Sequence, residues 1–66
     1  MSVAKIIEVS AQAPGSFEAA IKEGLAKASE SVENIQSAWI KEQEVLVRDN
    51  AIVGYKVLLK VTFVVK

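Results

Sequence analysis

A chain of 66 residues with eight Lys or Arg and eight Asp or Glu carries no net charge, and it contains neither Cys nor His. These counts exclude a disulfide or thiolate site. They remove the commonest metal ligand and general base, and leave no basic excess for nucleic acid. A domain this short buries only about 60% of its unfolded surface and usually needs a disulfide, a metal or oligomerisation; self-association is the support this composition leaves most open.

Val3 to Ser10 is a short run rich in β-branched residues and reads as the first strand, at an edge or covered on both sides. Ala11 to Ser16 is a turn, with Pro14 suited to a helix start and Ser16 an acceptable N-cap. From Phe17 the period changes: Phe17, Ala20, Ile21, Gly24, Leu25, Ala28 and Val32 form one apolar stripe at helical spacing. Gly24 within that stripe weakens the helix, and close approach of helix to sheet is the compensation expected of it. Asn34 tolerates the left-handed conformation that ends a helix. Ile35 to Val47 reads as the second strand, Arg48 to Ala51 as a turn, and Ile52 to Lys66 as the third strand, pairing with the second as a hairpin. The order is β-α-β-β, an α+β fold with one helix on a three-stranded antiparallel sheet. The strands outreach the helix, so the sheet must bend around it or extend into a neighbouring subunit.

The hairpin has two faces. Val53, Tyr55, Val57, Leu59, Val61, Phe63 and Val65 share the face meant for the helix. On the second strand Ala38, Ile40 and Leu46 fit that inward row, which Glu42 and Glu44 interrupt. Ser37, Trp39, Lys41, Gln43, Val45 and Val47 make the outward row, and a bulge near Glu42-Gln43-Glu44 would reconcile the two halves. Trp39, Leu58, Val64 and Val45 are thereby left on the side without a helix. A contiguous apolar patch marks an interaction surface, and a homo-oligomer is its economical explanation. Lys56 and Lys60 are expected to pair with Glu42 or Glu44 across the hairpin. Without His, Cys or a convincing acid pair, no enzyme is expected. No apolar run reaches membrane-spanning length and Met1 to Lys5 has no signal-peptide layout, so a cytoplasmic protein without membrane or nucleic-acid partners is expected.

Phe17-Glu18-Ala19-Ala20-Ile21, Val32-Glu33-Asn34-Ile35, Ala38-Trp39-Ile40-Lys41-Glu42-Gln43 and Gly54-Tyr55-Lys56-Val57-Leu58-Leu59-Lys60-Val61-Thr62-Phe63 together resemble the dodecin family over essentially the whole chain. The resemblance implies a bent sheet partly wrapped around the helix and a hollow homododecamer that stores or sequesters a flavin such as riboflavin, lumichrome or FMN. It implies a Trp that stacks the flavin and a Gln on the last strand that bonds the ring edge. Aligned on Asn34-Ile35 and Tyr55, those two positions hold Ser37 and Lys56. Trp39 lies two residues beyond Ser37 on the same face and offers a displaced stacking plane; Gln43 is the uncharged hydrogen-bonding side chain near it. The ligand candidates are therefore Ser37, Trp39, Gln43 and Lys56. Family members that lack the Trp include calcium binders, so a flavin-free shell, structural or calcium-binding, is the alternative. Glu42 and Glu44 are its candidate metal ligands, with Glu8 and Asp49 as further oxygens. Calcium takes six to eight oxygens, so symmetry-related copies would have to complete the shell.

Overall fold

The helix stripe and the alternating strands meet as their periodicities require. The structure is a computed structural model and describes residues 3–65. It contains β1 (Val3–Ala13), α1 (Phe17–Ala28), β2 (Ile35–Arg48) and β3 (Ala51–Val65). The three strands form one antiparallel sheet in the order β1-β3-β2, so the last strand is central and the first is an edge. The β1 strand runs three residues past the expected end at Ser10, because Ala11, Gln12 and Ala13 continue to pair with Val57, Lys56 and Tyr55. The expected strand end at Lys66 lies outside the described residues.

The helix begins where Ser16, in extended geometry, accepts a hydrogen bond from the Ala19 backbone N–H at 3.0 Å. It stops at Ala28, four residues before Val32; Ser29 caps it, and the Val32 N–H bonds the Ala28 carbonyl. Asn34 does adopt a left-handed φ of 62°, but its carbonyl accepts from Val64 and opens β2 instead of closing the helix. Asp49 and Asn50 have φ of 52° and 63°. Two successive residues at positive φ make the I′-type connection that matches the strand twist, and Asp and Asn tolerate it.

The core lies between α1 and the β1–β3 pair. Val57, Leu59 and Val61 are fully buried beneath Ala20, with Ile7, Val9, Phe17 and Leu25 closing around them. Each fully buried aliphatic side chain contributes about 1.5–3 kcal/mol. Gly24 meets the expectation of close approach: a Cβ built there would stand 3.1 Å from Leu59 Cδ1 and 3.2 Å from Ala11 Cβ. At the start of the helix the Phe17 and Tyr55 rings meet edge-on, with centroids 5.0 Å apart.

The sheet is much longer than its cover. The 12 residues of α1 span about 18 Å, whereas the 15 of β3 span about 50 Å. The chain accordingly measures 51 × 19 × 13 Å, with a radius of gyration of 13.5 Å. A compact chain of this length would have a radius near 11 Å. The excess is the hairpin tip, where Val45, Val47, Ile52 and Val53 remain exposed. Among the described residues no helix is long and apolar enough to cross a membrane.

Candidate functional site

Which side chains share the helix-free face follows from register, since residues directly opposite each other in antiparallel strands point to the same side. Along β3 that face carries Thr62, Lys60, Leu58 and Lys56, each between a β1 and a β2 partner. The rows across the sheet are Ile6, Thr62 and Ser37; Glu8, Lys60 and Trp39; Ser10, Leu58 and Glu42; and Gln12, Lys56 and Glu44.

Three register shifts interrupt the β2–β3 pairing, between Ile35 and Ser37, Ile40 and Glu42, and Leu46 and Val47, and the middle one sets this arrangement. The β2 register shifts between Ile40 and Glu42, which pair with the successive residues Leu59 and Leu58. Lys41 is the additional residue of a bulge, at the near edge of the expected position. Upstream of it Ala38 and Ile40 face the helix side and Ser37 and Trp39 face away, as read from the sequence. Downstream, parity inverts. Glu42 and Glu44 join the helix-free face instead of interrupting the core. Gln43 and Val45, opposite Val57 and Tyr55, move to the helix side. Leu46 also changes sides: it lies opposite Gly54, with its Cδ1 3.3 Å from where a Gly54 Cβ would be. Gln43 is thus not a side chain of the Trp39 face.

Trp39 is 63% exposed. The Lys60 ammonium lies 5.4 Å from the centroid of its ring, drawn by the negative π face. Lys60 does not pair with Glu42 or Glu44; its carboxylate is Glu8, at 4.0 Å. Glu8 also takes Lys41 at 3.4 Å, so one acid on β1 serves two lysines. Lys56 pairs with its cross-strand neighbour Glu44 at 3.6 Å, as expected of that lysine. Among the described residues Glu42 has no cation within ion-pair distance. Beside the Trp39 row lies an open trough of about 250 Å³, whose lining includes the expected ligand residue Gln43 as well as Ser10, Glu42, Glu44, Lys56 and Leu58.

Not all of the expected residues come together. Ser37 lies in the Thr62 row and Lys56 six residues further along β3, roughly 20 Å away. One protomer cannot bring both to a small ligand. Trp39, Ser37 and Lys60 form a contiguous patch, and Lys56 belongs to the trough. Glu42 and Glu44 are neighbours on one face, but among the described residues no three acids group closely enough to hold a metal ion. Alternation alone did not find the role of Glu8 or of Ser10; the signal that would is the β1–β3 register, which sets them opposite Lys60 and Leu58.

Residues 3–66 match the family model Dodecin. The chain belongs to the dodecin family. A relative named calcium dodecin, from Mycobacterium tuberculosis, is 35% identical over 63 residues, which cover 96% of this chain and 89% of the relative. The crystal structure of that organism's calcium dodecin, described as calcium-chelating with a novel calcium-binding site, superposes with a TM-score of 0.84 at 32% identity, covering 98% of this chain and 93% of that one. A Thermus thermophilus dodecin, solved with one Trp replaced by Phe, gives 0.92 at 26% identity over 100% of this chain and 98% of its own. A dodecin from Streptomyces davaonensis shares the fold, with a TM-score of 0.92 at 22% identity, covering 98% and 96% of the two chains. The β-α-β-β order and the single helix on an open antiparallel sheet are thus the dodecin fold.

Proposed function

We propose that this dodecin assembles with itself as a homododecamer and binds a planar aromatic molecule of the flavin class on its helix-free face, storing or sequestering it without chemical change. The observation that carries the reading is Trp39: a large aromatic plane, 63% exposed, on a sheet face that no element covers among the described residues. Stacking on such a plane contributes about 1–3 kcal/mol. The exposed Val45, Val47, Ile52 and Val53 at the hairpin tip support self-association, since leaving each in water forfeits apolar burial. Without His or Cys, the usual nucleophile and general-base pairs are lacking, which favours binding over catalysis.

Titration of riboflavin and lumichrome with the purified protein tests this. Micromolar protein should quench flavin fluorescence, Trp39→Ala should abolish the quenching, and light scattering should give the mass of twelve chains. Unquenched flavin, or quenching that survives Trp39→Ala, removes the stacking role. A monomer removes the assembly.

A second reading is favoured by the 35% identity to calcium dodecin and by Glu42 and Glu44 lying side by side on the helix-free face. In it the shell binds calcium between symmetry-related copies, with carboxylates from more than one protomer. Millimolar calcium should then raise the melting temperature, and the joint Glu42→Gln, Glu44→Gln variant should lose that shift. No shift in the parent protein sinks this reading.

A further inference from the structure

The trough next to Trp39 has a charge pattern of its own, and that pattern selects among ligands carrying the same ring. It starts one row from Trp39: Leu58, on its floor, is two residues along β3 from Lys60, the cross-strand partner of Trp39. That is about 7 Å, within reach of a short substituent on a ring stacked over the indole. Its lining offers the Ser10 hydroxyl, which both donates and accepts, and two carboxylates with one ammonium. The ammonium is committed: Lys56 pairs with Glu44 at 3.6 Å. Glu42 lies between the Trp39 row and that pair with no ion-pair partner among the described residues. The trough therefore presents one uncompensated negative charge and a set of hydrogen-bond acceptors.

We propose that Glu42 is a specificity-determining residue of this face: with the ring on Trp39, it accepts hydrogen bonds from a hydroxylated or cationic tail lying in the trough and repels a phosphorylated one. This rests on the flavin-class reading above. The opposing charges are Lys60, in the Trp39 row itself, and Lys41, between that row and Glu42; the two share Glu8 at the β1 end of the row. A tail directed there would meet a net positive charge, so the preference between tails reports which way the ligand lies. Glu42 is exposed and its replacement by Gln keeps shape and an acceptor, so the variant leaves the fold intact.

Riboflavin and FMN carry the same ring and differ by a terminal phosphate, which makes them the matched probes. Dissociation constants for both are measured by fluorescence quenching at low and at high salt, for the parent protein and for Glu42→Gln. The parent is expected to bind riboflavin more tightly than FMN. Glu42→Gln should improve FMN on the order of five-fold at low salt, weaken riboflavin by a smaller factor as a charged acceptor becomes a neutral one, and lose most of the FMN gain in 1 M salt, as a single exposed charge facing a dianion requires. FMN binding more tightly than riboflavin in the parent overturns the proposal and places the tail at Lys41 and Lys60. Equal effects of Glu42→Gln on both probes also overturn it. If neither flavin quenches in the parent, the flavin-class reading itself fails and the proposal falls with it, an outcome distinct from the other two.

Discussion

The contact of α1 with the sheet makes a signed prediction for Gly24→Ala. On helix propensity alone the change gains about 0.5–1 kcal/mol, because Gly is that much poorer than Ala in a helix interior. The packing opposes it. The new methyl would sit 3.1 Å from Leu59 Cδ1, 3.2 Å from Ala11 Cβ and 3.6 Å from Val9 Cγ1. Leu59 is fully buried, so its side chain cannot swing out into solvent without loss of packing, and the Ala11 Cβ moves only with its strand. Overpacking a filled core costs about 1–3 kcal/mol. The difference is a net destabilisation of about 1 kcal/mol. With a urea slope near 1 kcal/mol/M for a small protein, the midpoint should fall by about 1 M. The assay is urea unfolding at one fixed protein concentration, with light scattering to check that the variant has the parent's mass, since assembly adds to apparent stability. Gly15→Ala is the matched control. No atom lies within 4 Å of its would-be methyl, and its φ is not positive, so it should be neutral or stabilise by up to about 1 kcal/mol. If Gly24→Ala raises the midpoint as Gly15→Ala does, helix and sheet are not in the contact described.

Other expectations rest on single features. Leu59→Ala, at the fully buried centre, should lose about 2–5 kcal/mol in the same urea assay; a loss below 1 would mean that the core lies elsewhere. Ser16→Ala removes the acceptor for the Ala19 N–H and should lose about 1 kcal/mol, while Ser16→Asp should retain most of the stability. Asn50→Val forces a β-branched residue to a φ of 63° and should lose about 1–2 kcal/mol, whereas Asn50→Gly should lose none of it. Glu18→Gln, which breaks the exposed pair with Lys22 at 3.1 Å, should change stability by less than about 0.5 kcal/mol.

Most of the fold can be read from the chain because it is periodic. The apolar row Tyr55, Val57, Leu59 and Val61 and the stripe Phe17, Ala20, Ile21 and Gly24 differ in period, and each period has one structural meaning. The Asp49-Asn50 turn is legible because few residues adopt positive φ. The ends are less so. Ala11 to Ala13 look like turn residues but are held in β1 by pairing with β3, a long-range contact without a local signature. Val32 extends the stripe in sequence, yet the helix has already ended at Ala28. For the candidate site, alternation placed Ser37, Trp39 and Lys56 on the helix-free face and indicated a bulge in β2. It did not place Gln43, Glu42, Glu44 or Leu46, because their side depends on which residue is the extra one. The pairing of Lys60 with Glu8 depends on β1 being next to β3, and nothing in the local sequence states strand order.

The bulge at Lys41 divides β2 into two segments of opposite phase. From Ser37 to Ile40 the odd positions carry the chemistry of the helix-free face; from Glu42 to Leu46 the even positions do. Each segment can therefore diversify without regard to the other's alternation. Pairing Lys41 in regular register, without the bulge, would bring the two back into phase, returning Gln43 and Val45 to the Trp39 face and sending Glu42, Glu44 and Leu46 toward the helix, whereas deleting Lys41 would leave each of them on the side it now occupies. Loss of the bulge alone would replace an acidic trough by an amide and an apolar surface with no residue substituted. In this strand the place of the unpaired residue thus decides what the binding surface displays, and comparison of relatives across β2 has to locate the bulge before it compares side chains.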